Sequence, residues 1–556
     1  MTFATLLPLA LAVSLPLAGQ EIGPVHPTAL QNSAITVNGE NSLRFSWQIK
    51  AEGRGQIQNG YQILVAANEE NLAPDKELVW DSGQVESGQS IFLPYEGPEL
   101  TKGQDYHWQV RLWSQTGEEL TASEWSAPAS FTYLAEEKTP PAAEARLLSS
   151  FESSDEDLNQ LFVAAQESAK TVLGPPARFA PGDKAWGAPL HLSARGFAFQ
   201  ADLADYYRVW LQEIVAEQGG KGLFPARLGG EEKAPPAPGH SDAALVIPFA
   251  LWQLTGDPSF VDIAFEPAIA HLAAQQRLDA DFAGQAYGES EAAENSPSPD
   301  FLALCYFSLD ARIASEMATA KSHLPYIMQH KVWFDNLRKG FEKRFLDEEQ
   351  NLTESSQSAQ ILALRFSLLP PEGKEKMAKA LSARLQQEGL QADPFGTAAI
   401  LPVLSWTNHH EQAVTLARSF GQEEAEPSPV ALASTAEWMM SFLAGFIHQA
   451  PGFKTLRVAP FIPADGSITE VKAHHDTPYG RLAIHWKTTE KGLSAQVTIP
   501  PNTTGVIALP ADEKATLTES GKPLEESLAC QFMRDLEGRK EIIAQSGTYN
   551  FEVVNP

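Results

Sequence analysis

Apolar and polar positions alternate along the first part of the chain, from about Pro27 to Tyr133. Apolar side chains at every second position are typical of strands with one buried face. Asn59-Gly60 and Thr116-Gly117 supply turns between such runs. About one hundred residues of this kind predict an immunoglobulin- or fibronectin-like β-sandwich. Its predicted strands are 42–49, 61–66, 78–81, 106–113 and 129–133.

Four tryptophans, Trp47, Trp80, Trp108 and Trp113, occur on these predicted strands. Exposed, they would form a platform on which sugar rings stack. Large aromatic side chains at strand spacing more often fill the space between two sheets. We therefore expect them in the sandwich core.

The periodicity changes after a Pro-, Ala- and Glu-rich linker at 135–145. Apolar residues then recur at spacings of three and four, which is the pattern of amphipathic helices. Examples are the sets 203, 206, 207, 210, 211, 214; 301, 305, 309, 313; and 361, 364, 368. Breaks rich in proline and glycine separate the helices at 228–239, 294–299 and 369–373. About 300 residues of paired helices fit an (α/α)6 toroid or a helical solenoid, and the lack of a strict sequence repeat favours the toroid.

Strand patterns return after Pro451, at 480–486, 493–499 and 505–509, with Pro500-Pro501-Asn502 as a turn. The sequence thus predicts a multidomain α and β protein: an N-terminal β-sandwich, a central (α/α)6 toroid and a C-terminal β-sandwich. The predicted boundaries are 1–19 for a signal peptide, 20–134 for the first sandwich, 135–150 for the linker, 151–450 for the toroid and 451–556 for the second sandwich.

Composition and charge exclude several classes of partner. The 556 residues include 41 Lys and Arg against 70 Asp and Glu, a net charge of -29. This charge repels phosphate backbones and anionic lipid headgroups, so we expect neither a nucleic-acid partner nor membrane insertion. Cys305 and Cys530 are the two cysteines, too few for a disulfide framework or a cysteine metal site.

The first residues resemble an export signal. Phe3 to Ala18 are almost all apolar or small and carry no charge, and Ala18-Gly19 resembles a cleavage site. The run is shorter than the roughly 20 apolar residues of a membrane span. We expect a secreted or periplasmic protein, with a buried N-terminal strand as the alternative for this segment.

An ordered series of motifs resembles bacterial α-L-rhamnosidases, glycoside hydrolase family 78. In the first domain the resemblance is in Val79-Trp80-Asp81-Ser82-Gly83 and Tyr106-His107-Trp108. In the helical region it includes Ser241-Asp242-Ala243-Ala244, and near the C-terminus Asp476-Thr477-Pro478-Tyr479-Gly480. The resemblance covers most of the chain and implies hydrolysis of terminal α-L-rhamnosyl groups, with a rhamnose-containing glycan as partner.

The resemblance also implies the chemistry and the residues that perform it. Family members are expected to invert: a carboxylic acid protonates the glycosidic oxygen and a second carboxylate, about 6.5–9.5 Å away, activates water. The family's acid motif aligns with 174–189, where Gly182 occupies the acid's position and Asp183 follows it. The base motif is replaced by an acidic connection containing Glu424. Asp183 is therefore the candidate acid and Glu424 the candidate base, and solvated loop carboxylates are the alternative for both.

Three further residues are candidates for substrate binding by the same resemblance. Trp186 would pack on the sugar, Asp242 keeps its family neighbours, and Glu289 follows Gly288 where the family has a Gly-Asp-Trp motif. For Asp242, capping of the helix that follows it is an equally good interpretation.

Other chemistries lack their motifs, since the sequence has no G-x-S-x-G, H-E-x-x-H, phosphate-binding glycine loop or C-x-x-C. We expect no cofactor, and the many carboxylates leave bound Ca²⁺ open. Because the acid and base motifs depart together from the family pattern, a catalytically degenerate member that binds carbohydrate or serves in an assembly is the alternative function. A third hypothesis is a lyase that uses Tyr287, His240 or His191 as its base.

Overall fold

A computed structural model describes most of the chain. The described residues are 25–37, 40–51, 53–116, 119–134, 145–171, 185–229, 234–286, 295–422, 427–527 and 530–556. The predicted signal peptide and part of the predicted linker lie outside them.

The N-terminal domain is a sandwich of two antiparallel sheets, as the alternating pattern predicts. Its strands are β1 (Val25–Val37), β2 (Glu40–Ala51), β3 (Gly60–Ala66), β4 (Trp80–Asp81), β5 (Leu93–Pro94), β6 (Asp105–Thr116), β7 (Glu119–Ala122) and β8 (Ala129–Thr132). One sheet has the order β1-β2-β5, and the other has the order β4-β3-β6-β7 with β8 also paired to β6. Between them Trp47 and Trp108 are buried, and Trp80 packs against the same core on Phe45. Trp113 is also buried, but it lies on the other face of β6, under Arg111. The prediction of a place in the sandwich core is therefore confirmed for Trp47, Trp80 and Trp108, whereas Trp113 is buried outside that core.

The central domain contains twelve α-helices among the described residues. They are α1 (Glu156–Thr171), α2 (Gly187–Gln200), α3 (Ala204–Ala216), α4 (Ala243–Thr255), α5 (Ser259–Leu278), α6 (Pro299–Ala320), α7 (Leu324–Phe345), α8 (Gln357–Arg365), α9 (Pro371–Glu388), α10 (Pro394–Trp406), α11 (His410–Ser419) and α12 (Pro429–Trp438).

The even-numbered helices form a closed inner ring. Each of them packs against the next even-numbered helix, and α12 packs against α2. The odd-numbered helices lie outside and carry exposed faces, as α7 and α9 show. This closure confirms the predicted (α/α)6 toroid and excludes the solenoid, whose end repeats do not meet.

The helices α10 and α12 run in the same direction. Ser434 in the middle of α12 donates to the carbonyl oxygen of Ala398 in α10, at 2.9 Å, and Trp438 at the end of α12 donates to Ser405 Oγ near the end of α10, at 2.8 Å.

Side-chain contacts bring other helix starts together. Asp393, before α10, accepts from Ser358 at the start of α8 and from Ser296 just before α6. Gly239, before α4, lies against Phe395 at the start of α10. The N-termini of these inner helices therefore share one rim of the ring.

The C-terminal domain is rich in sheet. Its strands are β12 (Phe446–His448), β13 (Thr455–Val458), β14 (Glu470–Thr477), β15 (Gly480–Thr489), β16 (Gly492–Pro510), β17 (Thr516–Glu519), β18 (Lys522–Pro523), β19 (Cys530–Leu536) and β20 (Arg539–Val554). The strand β9 (Ser149–Ser153), just before the helical domain, adds to this sheet beside β14. Two short strands, β10 (Ala185–Trp186) and β11 (Arg227–Leu228), pair within the helical domain.

The predicted turn at Pro500-Pro501-Asn502 does not separate two strands. The single strand β16 runs through it, and its pairing with β20 shifts register between Ile499 and Thr504. Two prolines cannot donate ladder hydrogen bonds, which explains both the turn-like sequence and the irregularity. Asn502 has a φ of 61° at this irregularity, a conformation that asparagine tolerates better than most residues.

This irregularity docks the N-terminal domain onto the C-terminal one. The Asn502 side chain donates to the Gly88 carbonyl oxygen at 2.8 Å and to Ser90 Oγ at 3.2 Å, and it accepts from the Gln58 backbone N–H at 3.3 Å. All three bonds lie in buried or partly buried surroundings, where an unmet polar group is costly. The segment Pro500-Pro501-Asn502, which has the composition of a turn, thus forms a contact between the two domains.

No helix in the described part of the chain combines the length and apolarity needed to cross a bilayer.

We expect Asn502→Gly and Asn502→Ala to weaken the contact between the two domains. Both remove the side-chain bonds, which are worth about 1–3 kcal/mol where a buried partner is left unmet. Alanine adds backbone strain of about 1 kcal/mol at the positive φ, so it is expected to be the worse substitution. Differential scanning calorimetry measures both. Equal melting profiles for the two variants and the wild type would contradict the docking role.

Lys454 at the same contact gives a pH-dependent prediction. Its Nζ donates to the Asn502 carbonyl oxygen at 2.7 Å and to the Gly88 carbonyl oxygen at 3.2 Å, and burial lowers its pKa to about 8. Between about pH 8 and its ordinary value near 10.4, the folded state holds fewer protons than the unfolded state. The unfolding free energy of wild type relative to Lys454→Met is therefore expected to rise across this window. Urea denaturation at several pH values measures the difference, which must stay constant if Lys454 keeps an ordinary pKa.

Candidate active site

The rim of the ring is formed by capped helix starts. Side-chain oxygens cap four of the six inner helices: Ser298 caps α6, Ser356 caps α8, Asp393 caps α10 and Ser428 caps α12. Three of these caps precede a proline in the first turn, where the missing N–H costs no hydrogen bond. The remaining unpaired N–H groups and the helix dipoles give this rim a positive potential.

A tight turn before α4 forms one wall of the rim. Its Gly239 has a φ of 76°, and a Cβ placed there would lie 2.6 Å from the Phe395 ring and 3.3 Å from the Tyr306 ring. The imidazole Nε2 of His191 on α2 lies 2.7 Å from the Gly239 carbonyl oxygen. Burial lowers the pKa of His191 to about 4, so the ring is neutral near pH 7 and donates to that carbonyl. The turn is therefore fixed by packing and by one buried hydrogen bond.

The start of α2 is attached to the same turn. The Ala188 backbone N–H donates to His240 Nδ1 at 3.3 Å, and the Gly187 N–H donates to the Ala226 carbonyl oxygen at 2.9 Å. A Cβ on Gly187 would lie 2.0 Å from the His240 carbonyl oxygen, so only glycine fits. His240 thus caps α2, and burial lowers its pKa. This position leaves His240 and His191 in roles that hold the rim together.

A buried polar cluster lies beneath this turn. Asp242 accepts from the Gly239 N–H through Oδ2 at 2.6 Å and from Gln275 Nε2 through Oδ1 at 3.1 Å. Gln275 Nε2 also donates to Asp310 Oδ2 at 3.0 Å. His271 Nε2 lies 3.6 Å from Asp242 Oδ1 and 3.7 Å from Asp310 Oδ2. Burial and the neighbouring Asp242 raise the pKa of Asp310 well above its ordinary value.

Charged side chains occupy the interior of the ring farther from the rim. Arg195 on α2 pairs with Glu437 on α12, Nε to Oε1, at 2.7 Å. Arg365 at the end of α8 stacks on Trp406 at 4.9 Å, and burial lowers its pKa to about 10. These groups lie near the C-terminal ends of the inner helices, where the strand β12 contributes His448 at 3.4 Å from Arg195. They therefore belong to the opposite end of the ring from the capped helix starts.

The structure describes only some of the predicted site residues. Asp183, Glu424, Glu289 and Tyr287 lie outside the described residues. Trp186 ends β10, directly before α2, and pairs with Arg227. Asp242 is 0% exposed. Its side chain accepts from the upstream Gly239 N–H and makes no capping hydrogen bond to α4, so the capping interpretation is wrong. A role of Asp242 in substrate binding stays a prediction.

His271, Gln275 and Asp310 were not singled out from the sequence. His271 and Gln275 are four residues apart, on one face of α5, and Asp310 interrupts an otherwise apolar run in α6. The sequence signal for these residues was that polar side chains occupy helix positions where the periodicity predicts buried apolar ones. Their convergence with Asp242 depends on the packing of three helices, which the pattern alone does not provide.

Comparison with known proteins gives three matching sequence profiles in chain order. Residues 29–133 match a Rha78A-like N-terminal immunoglobulin domain, and residues 146–426 match the bacterial alpha-L-rhamnosidase six-hairpin glycosidase domain. Residues 445–523 match the bacterial alpha-L-rhamnosidase C-terminal domain. The glycosidase profile alone covers about half of the chain.

Similar proteins agree with these profiles. An alpha-L-rhamnosidase of Formosa agariphila is 23% identical over 72% of this chain and 48% of its own length. One of Streptomyces avermitilis is 25% identical over 59% of this chain and 35% of its own length. The chain thus spans half or less of these curated relatives.

Solved structures share the fold. An alpha-L-rhamnosidase from Dictyoglumus thermophilum has a TM-score of 0.77 at 14% identity, over 95% of this chain and 99% of that one. A Streptomyces avermitilis alpha-L-rhamnosidase complexed with L-rhamnose has a TM-score of 0.63 at 20% identity, over 96% of this chain and 54% of that one.

We expect Gly239→Ala to disturb the rim, because its Cβ would meet Phe395. Gly103→Ala is a matched control: Gly103 has a φ of 77°, and a Cβ there has nothing within 4 Å. Both variants have the strain of a positive φ, but Gly239→Ala adds overpacking of about 1–3 kcal/mol. Urea denaturation compares them. Equal loss of stability in the two variants would show that the turn does not pack tightly against Phe395.

Proposed function

Because the chain belongs to the bacterial alpha-L-rhamnosidase family of glycoside hydrolases, we propose that it hydrolyses terminal α-L-rhamnosyl groups with inversion. Asp183 is the proposed general acid and Glu424 the proposed general base. The substrate is a rhamnose-containing glycan, and we propose that the protein acts after export.

The closure of the ring is the observation that carries this proposal. Asp183 belongs to the segment 172–184, which leads to β10 and α2. Glu424 belongs to the segment 423–426, which precedes α12. The helices that follow the two segments, α2 and α12, are neighbours in the ring. We propose that this adjacency allows two carboxylates about 240 residues apart in sequence to act on one substrate.

The proposed reaction needs different protonation states at the two carboxylates. Asp183 would be protonated and give its proton to the glycosidic oxygen as the bond to the anomeric carbon breaks. Glu424 would be ionised and take a proton from the water that attacks the opposite face of the sugar. Trp186, one residue before α2, is proposed to pack against the sugar ring, and Glu289 to bind its hydroxyl groups.

Two described carboxylates near the rim, Asp242 and Asp393, are too buried to serve as the catalytic pair. Asp242 is 0% exposed, and Asp393 is 3% exposed. Asp393 accepts from Ser358 Oγ, Ser296 Oγ and the Gly396 N–H. Neither side chain reaches a substrate at the rim, so we propose that Asp242 acts on the site only through the Gly239 turn.

The second candidate function is carbohydrate binding without turnover. The burial of Asp242 and Asp393 favours it, because these two carboxylates then cannot replace Asp183 or Glu424 if either of those residues is inactive. The two functions differ in one observable, because a binding protein retains affinity for rhamnose and releases no product.

We expect Asp183→Asn and Glu424→Gln each to lower kcat on an aryl α-L-rhamnoside by about 10²–10⁴-fold, since each removes one proton transfer. An aryl leaving group of low pKa needs less protonation, so the loss in Asp183→Asn should be smaller with such a substrate. Steady-state kinetics with two aryl groups of different leaving-group pKa measures this dependence.

Glu423→Gln and Asp347→Asn serve as controls. Glu423 adjoins Glu424 in sequence, and Asp347 is exposed in the turn after α7. Asp347→Asn should leave kcat within about twofold of wild type, as is usual for surface substitutions away from a site. Glu423→Gln should do the same if Glu424, and not its neighbour, is the base. Unchanged activity in Asp183→Asn would reject the acid assignment, and binding of L-rhamnose without turnover in wild type would favour the second function.

A further inference from the structure

Four side-chain atoms converge on one point in the buried polar cluster. They are Asp242 Oδ1, His271 Nε2, Asp310 Oδ2 and the terminal amide of Gln275. The amide nitrogen lies 3.1 and 3.0 Å from the two carboxylate oxygens, and the imidazole nitrogen lies 3.6 and 3.7 Å from them. Ligand atoms around a four-coordinate ion with bonds of about 2.0–2.2 Å are about 3.3–3.6 Å apart. The imidazole distances are close to this spacing, and the amide distances are shorter because the amide now donates hydrogen bonds to both carboxylates. Asp242, His271 and Asp310 offer ligand atoms that all lie within 4.8 Å of one another.

The electrostatics of the cluster also fit a divalent cation. Asp242, His271 and Asp310 are each 0% exposed, and Gln275 is 1% exposed. Two carboxylates that face each other away from water need positive charge between them. A divalent ion with two carboxylates and a neutral imidazole makes the site neutral. In addition, Asp310 Oδ1 is buried and accepts no hydrogen bond among the described residues.

We propose that Asp242, His271, Gln275 and Asp310 bind one divalent transition-metal ion, Zn²⁺ or Mn²⁺, inside the helical domain. Oxygen ligands with one imidazole suit these ions. Ca²⁺ prefers six to eight oxygens at 2.3–2.6 Å, more than this dry cluster supplies. Gln275 ligates through Oε1, which a half-turn of its amide places where Nε2 now lies.

Neighbouring groups contact two of the proposed ligands, and one of these contacts would report whether the metal is bound. The Gly239 N–H donates to the outer oxygen of Asp242 at 2.6 Å. The His271 ring packs against Phe224 at 5.2 Å, and the Phe224 backbone N–H lies 3.3 Å from His271 Nδ1. Ligation through Nε2 leaves the ring proton on Nδ1, so this long hydrogen bond breaks when the metal binds. Faster exchange of the Phe224 amide therefore reports occupancy.

The ion would tie three helices to the rim. Asp242 precedes α4, His271 and Gln275 are on α5, and Asp310 is on α6. Through Asp242 the same ion stabilises the Gly239 turn. Its role is structural, since a 0% exposed site offers no open position to a substrate. The inference therefore stands whether or not the protein hydrolyses rhamnosides.

The test is metal analysis of the full-length protein, purified without chelator and then refolded with Zn²⁺, Mn²⁺, Ca²⁺ or Mg²⁺ in turn. We expect about one equivalent of Zn²⁺ or Mn²⁺ per chain, released to a colorimetric chelator only on unfolding, because binding is coupled to folding. Amide exchange at Phe224, followed by mass spectrometry or NMR, should differ between the loaded and the metal-free protein.

Asp310→Asn and His271→Gln should each lose most of the bound metal, at least tenfold in occupancy. Asp279→Asn is the matched control, because Asp279 is a buried carboxylate on the same side of α5 that accepts from the Ala283 and Gly284 N–H groups. It should keep its metal. If a variant does not fold, the wild-type release assay alone decides.

Two results would overturn the proposal. Wild-type protein that takes up no metal on refolding would show that the two carboxylates instead share a proton. Metal retained in Asp310→Asn would place the ion elsewhere.

Discussion

The contact between α2 and α12 is the constraint on which the rest of the structure depends. A side chain at Gly196 of α2 would place its Cβ 2.2 Å from the Ala433 carbonyl oxygen of α12. The two helices can approach this closely only because position 196 has no Cβ. Their approach closes the ring of inner helices and joins the first helical hairpin to the last. The rim at the helix starts, and every residue that faces it, follows from that closure.

The ring also explains why polar groups are tolerated so far inside the protein. Inner helices are surrounded by other helices, and a polar group that is buried there needs a protein partner. Arg195 forms an ion pair with Glu437 across the α2–α12 contact, and Asp393 accepts hydrogen bonds from the hydroxyls of Ser296 and Ser358. The cluster around Asp242 satisfies the same requirement beneath the rim. The cluster differs from the helix caps around it because it contains two carboxylates that face each other and would need a counter-charge if both were ionised.

The order of the domains was predictable because each has its own hydrophobic period. Strand alternation located the sandwiches, and spacings of three and four located the helices. The irregularity at Asn502 was predicted as a turn, since two prolines and an asparagine have the composition of a turn whether the strand ends or continues. Ring closure supplied what the pattern lacked: it brings α4, α5 and α6 together, so that Asp242, His271 and Asp310 meet only in the folded protein.

The candidate catalytic residues came from resemblance and not from periodicity, and Asp183 and Glu424 lie outside the described residues. The proposal that they act together rests on topology, because both segments precede inner helices that are adjacent in the ring. Sequence distance is therefore a poor guide to this site. Asp242, which has the best-preserved motif, is buried beneath the rim, whereas the residues proposed for proton transfer are in connecting segments whose sequence departs from the family pattern.

The most direct test of the proposed activity is the stereochemistry of hydrolysis by the wild-type protein. An aryl α-L-rhamnoside is incubated with the enzyme, and proton NMR follows the anomeric signals from the first minutes, before mutarotation. Inversion predicts that β-L-rhamnose forms first and then equilibrates. Release of α-L-rhamnose first would contradict the two-carboxylate inverting mechanism, and no release at all would contradict the proposal that this rim is a hydrolytic site.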